Sequence, residues 1–402
     1  MISHTDFKLT PSSIGRRMFL LAGASAAWAQ TAPSNQVRIG IIGSGGRGRY
    51  LTKVALRDPA VRVAAVCDVY EPNLEAGLSA AGNQARAVRN YRGLLDMKDL
   101  DAVIIATPEH WHHRMLLDAL AAGKDVYVEK PLCQTPEQGV ELVRAAAQSK
   151  SIVQVGMQRR SYDLYLQARS VIAQGTLGTV KMVRCWWLNN SLTPSTAELK
   201  GPLDWEQWQG PIAQMARRPL DPARFFDWRS YSEYSGGIMA DQGAHVFDGL
   251  HMLMASGYPD AVNATAGRVH KPRVDTPESV VVVAEYPEDW LGVFTLNYAA
   301  MRYPGIEDQL NQYDGDRARL DIGRERFSVL YKGHSAPMLT AVSGGFDKAT
   351  EAHMDNFLDC VRTRNAPNAT VERGFQAVLV TQMANISLRE HRRVRWDGTR
   401  VV

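Results

Sequence analysis

The sequence predicts an α/β Rossmann domain followed by a C-terminal α+β domain with a mostly antiparallel open sheet, and three observations carry that expectation. Short β-branched runs alternate with amphipathic stretches from Val37 to Gly156, the pattern of a parallel sheet covered by helices on both faces. A Gly-x-Gly-x-x-Gly loop, Gly43-Ser44-Gly45-Gly46-Arg47-Gly48, directly follows the first of those runs. Past residue 260, strand-like runs succeed one another, which suggests antiparallel pairing.

The first residues stand apart from the fold. Gly15-Arg16-Arg17-Met18-Phe19-Leu20 is a twin-arginine pair leading into a short alanine-rich stretch that ends at Ala27-Trp28-Ala29, a small-x-small tripeptide suited to leader-peptidase cleavage. Residues 1–29 are therefore expected to be a twin-arginine signal that sends the protein to the periplasm or otherwise exports it. The competing reading is a disordered or amphipathic tail with a chance Arg-Arg. Its apolar run is too short to form a stable membrane span. Twin-arginine export carries folded proteins, which suits a chain that must first assemble around a nucleotide.

Strand runs at 37–42, 61–67, 101–107, 125–129 and 152–156 define a first domain over residues 30–157, with helical spacing at 110–122 (Met115, Leu116, Leu120) and 136–149. The second domain, 158–402, opens with a helix from Asp163 to Gln174 and a strand from Val180 to Leu188. About fifty irregular residues follow; Trp205, Trp208, Phe225, Phe226 and Trp228 within them argue for order. An apolar helix from Gly243 to Ala255 leads to strands at 261–269, 278–287, 290–300 and 317–331. Helices at 351–364 and 372–389 close the chain, the last able to pack back on the first domain; Met354, Phe357, Leu358 and Val361 share one face.

Composition narrows the function classes. With 402 residues, 45% hydrophobic and 22% charged, the chain can fill two cores, and disorder is excluded. A net charge of +4 with scattered basic residues leaves no electrostatic footprint for nucleic acid. Cys67, Cys133, Cys185 and Cys360 form no CxxC pair and read as buried thiols.

The glycine loop has the context that a dinucleotide site needs. Gly43 permits a tight turn after the strand, Gly45 and Gly46 let backbone amides approach a pyrophosphate, and Gly48 allows close helix packing. Arg47 lies inside the loop. Twenty residues past Gly48, Asp68 ends the second strand. There its carboxylate accepts hydrogen bonds from a ribose 2'-OH and repels a 2'-phosphate, which favours NAD; NADP remains open if a nearby arginine compensates.

Three further segments stand out: Thr107-Pro108-Glu109-His110-Trp111-His112, Glu129-Lys130-Pro131, and Asp241-Gln242-Gly243-Ala244-His245. With the glycine loop, and with Gly156-Met157-Gln158-Arg159-Arg160-Ser161, they give a chain that resembles the Gfo/Idh/MocA family of sugar and cyclitol oxidoreductases from about Val37 to the C-terminus. The resemblance implies that Lys130, Asp241 and His245 meet below a nicotinamide, and that Thr107, Pro108, His112 and Glu129 help to bind the cofactor. It also implies pairing of subunits through the sheet face of the second domain, giving a homodimer or homotetramer.

Chemistry explains the residue types. Oxidising a secondary alcohol removes a weakly acidic proton while hydride leaves the same carbon. An imidazole such as His245 suits the base. Lys130 suits alkoxide stabilisation and proton relay, and Asp241, one turn before His245, can orient the imidazole or hold a neighbouring hydroxyl. His110, Trp111, Gln158, Arg159 and Arg229 are candidate substrate contacts; Trp111 reads equally as core. Arg224 and Arg229 among aromatics suit a carbohydrate surface, and those aromatics equally suit a core of their own. Asp241, His245 and Asp248 share a helical face, yet nothing else falls at ligand spacing, so no metal is expected.

The expected activity is an NAD(P)-dependent oxidoreductase with tightly bound cofactor acting on a sugar or cyclitol. Two rivals fit the same residues: a glycoside hydrolase or lyase that oxidises its sugar transiently, and a non-catalytic nucleotide-binding sensor.

Overall fold

A computed structural model describes residues 36–189, 197–212, 217–269, 274–299 and 307–402; the twin-arginine segment lies outside them. β1 (Val37–Ile42) is buried everywhere but Arg38, as a parallel strand covered on both faces must be. There follow α1 (Gly46–Ala55), β2 (Val61–Cys67), α2 (Glu71–Ala80), β3 (Arg86–Val88), α3 (Tyr91–Leu95), β4 (Ala102–Ile105), α4 (His112–Ala121), β5 (Asp125–Val128), α5 (Pro136–Gln148) and β6 (Val153–Val155). The strands pair in parallel in the order β3-β2-β1-β4-β5-β6. That order reverses between β1 and β4, and the crevice at the carboxyl ends of these two strands is where such sheets take ligands.

The second domain contains α6 (Asp163–Ala173), β7 (Val180–Leu188), α7 (Trp205–Gln209), α8 (Pro222–Phe226) and α9 (Gly237–Met254), then β8 (Ala261–Ala266), β9 (Ser279–Tyr286), β10 (Trp290–Asn297), β11 (Gln309–Gly315), β12 (Ala318–Ile322), β13 (Arg326–Tyr331) and β14 (Leu339–Val342). The chain ends with α10 (Asp347–Thr363), α11 (Val371–Glu390) and β15 (Val394–Arg395). Nine strands join in the order β14-β13-β12-β11-β7-β10-β9-β8-β15. β7 and β10 run parallel; the other pairs are antiparallel.

Several boundaries differ from the sequence reading. The run 317–331 is a hairpin, β12 and β13, turned at Gly323, whose N–H donates to Arg326 O at 2.9 Å. α9 starts at Gly237, not Gly243, so Asp241 lies inside the helix rather than at its opening. β11, β14 and β15 add strands where none was expected.

Both closing helices reach the first domain. Met354, Phe357, Leu358 and Val361 of α10 are buried with Ile39 and Leu51 of the Rossmann core. α11 packs on α5, where Gly139 leaves room for the Phe375 ring that any Cβ would strike. One apolar cluster runs from Ile105 and Val128 through Phe247 and Phe294 to Val378, so the two domains share a core. All four cysteines are buried and free.

Candidate active site

A cavity of about 650 Å³ opens at the sheet's switch point, walled by the glycine loop on one side and by α9 on the other. The loop's glycines divide into two kinds. Gly43 has φ +86° and a Cβ there would sit 2.8 Å from Ala106 O, while a Cβ at Gly48 would run into Gly43 O; both are required by the protein's own backbone. At Gly46 a Cβ would meet nothing within 4 Å, and at Gly45 only Asn73 Nδ2 at 3.9 Å. Both line the cavity, so the space a side chain would fill is space for a ligand at the N-terminus of α1. Asp68 closes this end. Its Oδ2 accepts from Ser44 N at 2.7 Å and its Oδ1 from Tyr70 N at 2.9 Å. Burial raises its pKa, against those hydrogen bonds. The remaining lone pairs fit a ribose diol, and the residues present fit a bound dinucleotide.

At the other end, two domains meet over charged groups. Lys130, just past β5, donates to Asp241 Oδ1 at 2.7 Å and to Asp241 O at 3.0 Å. Arg229 Nε reaches the same Oδ1 at 3.1 Å, and Gln242 Nε2 donates to Oδ2 at 2.8 Å. Asp241 is 4% exposed. Burial alone would raise its pKa; the Lys130 and Arg229 cations outweigh that and hold it well below the usual carboxylate range. His245 lines the cavity one helical turn on, its ring stacked over Trp187 at 6.4 Å. Burial, with Lys130 and Arg159 nearby, pushes its pKa well below 6.5, which keeps the imidazole neutral and able to accept a proton. The Asp241 carboxylate meets Lys130, Arg229 and Gln242. It thus holds two cations directly, with His245 one helical turn away.

Residues 37–157 match the family model described as "Oxidoreductase family, NAD-binding Rossmann fold", and residues 165–313 match the "GFO/IDH/MocA C-terminal domain". The chain belongs to the Gfo/Idh/MocA family. Among curated relatives, inositol 2-dehydrogenase/D-chiro-inositol 3-dehydrogenase of Shouchella clausii is 36% identical over 37% of this chain and 44% of that protein. The match to these inositol dehydrogenases spans less than half of their length. Rhizopine catabolism protein MocA of Rhizobium meliloti is 26% identical over 86% of this chain and 93% of its own. Among solved structures, a levoglucosan dehydrogenase in complex with NADH and levoglucosan shares the fold with a TM-score of 0.74 at 18% identity, over 90% of this chain and 100% of the other. The WlbA dehydrogenase from Bordetella pertussis follows at 0.68 and 20%, over 90% and 99%.

Within this member of the Gfo/Idh/MocA family, the remaining candidate residues divide between wall and support. Thr107, Pro108, Trp111, Gln158 and Arg229 line the cavity. Arg47 also lines it, and its Nε pairs with Glu129 Oε1 at 2.7 Å, tying the glycine loop to the strand end that carries Lys130. His112 sits with its ring nitrogens 2.6 Å from Pro131 O and 2.9 Å from Thr107 O, bracing both turns from behind. Two expected substrate contacts lie elsewhere. His110 is 3% exposed, bonds Trp208 O at 2.9 Å and packs against Trp208 and Tyr234; burial lowers its pKa to about 4. Arg159, also 3% exposed, donates to His245 O at 2.9 Å beneath the helix. Both bond backbone carbonyls rather than face the cavity; the one that His110 meets also accepts from Trp111 Nε1. Asp248, on the shared helical face, is paired with Arg160 at 2.5 Å.

Glu109 escaped the sequence reading. Its carboxylate, 2% exposed, accepts from Ser235 Oγ at 2.8 Å and Gly236 N at 2.9 Å, and so caps α9 from the other domain. Burial and then Asp241 raise its pKa to about 7. Its one sequence signal was an acid set between Pro108 and His110.

Proposed function

We propose that this protein is an NAD-dependent oxidoreductase that interconverts a secondary hydroxyl and a ketone on a sugar or cyclitol. The observation that carries this reading is the contact of Lys130 with Asp241 across the domain boundary, on the wall of the cavity whose far end is the glycine loop. A bound nicotinamide supplies the hydride acceptor for oxidation and the donor for reduction. His245, kept neutral, takes the hydroxyl proton. The Lys130 ammonium stabilises the alkoxide as it develops, in a buried site where such a charge counts for more than in water. Asp241 holds Lys130 and Arg229 toward the substrate and offsets their charge. Relatives that are dehydrogenases of inositol and levoglucosan support a polyhydroxylated substrate.

The reading extends to export through the Arg16-Arg17 leader, to a cofactor retained through turnover, and to a homo-oligomer. The oligomer is supported by the outer face of the nine-stranded sheet, where Trp186 pairs with Leu310 and Val293 with Val283. Sedimentation of the purified protein tests it: a monomer at micromolar concentration would remove that part.

The activity is tested by incubating purified protein and NAD with sugars, cyclitols and glycosides while following absorbance and products. Formation of NADH with a ketone product supports the proposal. Glycoside cleavage without net redox change would replace it with transient oxidation, and inertness toward all three classes would sink it.

A further inference from the structure

Between β7 and α9, the described residues 200–212 and 217–228 pack against both lips of the nucleotide groove. On the β2 side, Asp204 N donates to Val69 O at 2.9 Å and Glu71 N to Pro202 O at 3.0 Å, with an antiparallel bridge between Tyr70 and Leu203. Lys200 N donates to the Tyr70 hydroxyl at 2.8 Å, and Gln207 Nε2 reaches Arg89 O at 2.8 Å. These anchors adjoin Asp68, the group placed to read the adenosine ribose. On the β4 side, Trp111 Nε1 donates to Trp208 O at 2.8 Å. Between the two lips, Gln207, Trp208 and Phe225 line the same cavity as Gly45, Asp68 and Asn73. Phe225 meets Tyr70 edge-on at 5.0 Å and Trp208 at 5.7 Å. The underside of this bridge is aromatic, and its upper layer is a small core of Trp205, Trp208, Tyr231 and Tyr234.

We infer that the described residues 200–212 and 217–228 form a fixed roof over the adenosine half of the dinucleotide, with Phe225 and Trp208, beside Tyr70 of the first domain, as the base-contacting surface. The inference rests on the reading of the cavity as an NAD site and adds how the second domain holds the cofactor there. An adenine ring has two π faces, and aromatic side chains bind such faces whatever the base's edges do. A groove roofed from a second domain differs from an open crevice in kinetics: the adenosine half leaves only after the roof parts from Val69–Glu71 or from Trp111. On the Val69–Glu71 side backbone hydrogen bonds must open together, and on the Trp111 side an indole hydrogen bond and the aromatic packing around it, so release is slow even where the ligand's own contacts are ordinary.

The test is the rate at which bound NADH leaves the full-length protein, read from its fluorescence during a chase with excess NAD. Wild-type release over minutes or longer is expected, with Phe225→Ala and Gln207→Ala each releasing NADH at least about tenfold faster. The half-buried Gln207 serves as the conservative variant, because its loss removes the contact to Arg89 O without touching the aromatic core. Wild-type binding that exchanges within seconds overturns the roof and leaves the oxidoreductase reading standing. So do variants that fold, melt as wild type does and release at the wild-type rate. Failure of the wild-type protein to bind NADH at all overturns the NAD site itself.

Discussion

The two ends of the cavity are built by opposite means. At the nicotinamide end, Lys130, Asp241, Arg229, Arg47 and Glu129 are charged groups held by ion pairs, one of which, Lys130–Asp241, crosses between domains. At the adenosine end the second domain contributes aromatic rings and backbone hydrogen bonds, and the first domain the Tyr70 ring and one carboxylate, Asp68. Buried charges whose partners are incomplete are costly and responsive, which suits proton and hydride chemistry. An apolar roof holds but does not react. The difference teaches that binding and turnover are separable in this protein, and substitutions at the two ends should divide accordingly.

The largest effect is expected at the charged end. Lys130→Ala should lower turnover by about two or more powers of ten while NADH affinity stays near wild type; comparable loss in both would merge the two ends. In the same assays the oxidation rate should hold as pH falls through 6.5, because His245 keeps its proton-accepting form well below that value. An acid limb centred at 6.5 would assign the base elsewhere.

Asp68→Ala at the other end should weaken NAD by about tenfold, the scale of a hydrogen bond to a charged group, and leave turnover of the saturated enzyme nearly unchanged. It should also narrow the preference for NAD over NADP, as titration with both nucleotides would reveal. An unchanged preference would mean that other groups read the ribose.

Glu109 lies between the ends and should show the smallest effect. Folded Glu109 keeps its proton up to about 7, while the unfolded chain releases it near 4.5. Stability it contributes at low pH is therefore lost as pH rises through that window. Glu109→Gln cannot ionise, so its melting temperature should vary less with pH from 4.5 to 7, alongside a few-fold fall in turnover from a looser start of α9. A pH dependence identical to wild type would place that titration at another group.

The start of α9 also shows where sequence reading stops. Ser235 stands just ahead of the helix and its Oγ accepts from Gly237 N at 3.0 Å, yet Gly236, Gly237 and Gly243 read as breaks and mask that signal. The rest of the cap comes from Glu109, more than a hundred residues earlier, which accepts from Gly236 N and from the Ser235 hydroxyl, and a contribution delivered by another domain leaves no local mark. The first domain needed no such help: strand period, glycine spacing and Asp68 are all local, and the parallel sheet was legible from them. Lys130, Asp241 and His245 were legible through motif. His110 and Arg159 were misplaced because a polar residue beside a site has the same letters whether it meets substrate or a buried carbonyl. β11, Gln309–Gly315, was hidden by its polar composition, though its alternate residues are buried.

The four free cysteines carry a consequence for where such a molecule can persist. Burial pushes Cys67 and Cys133 up to about 12 and raises Cys185 and Cys360 as well, so little thiolate exists at neutral pH to attack or be oxidised. No disulfide contributes to this fold and no exposed thiol threatens it. A change in the redox potential around it therefore has no bond in this fold to break and no exposed thiol to oxidise.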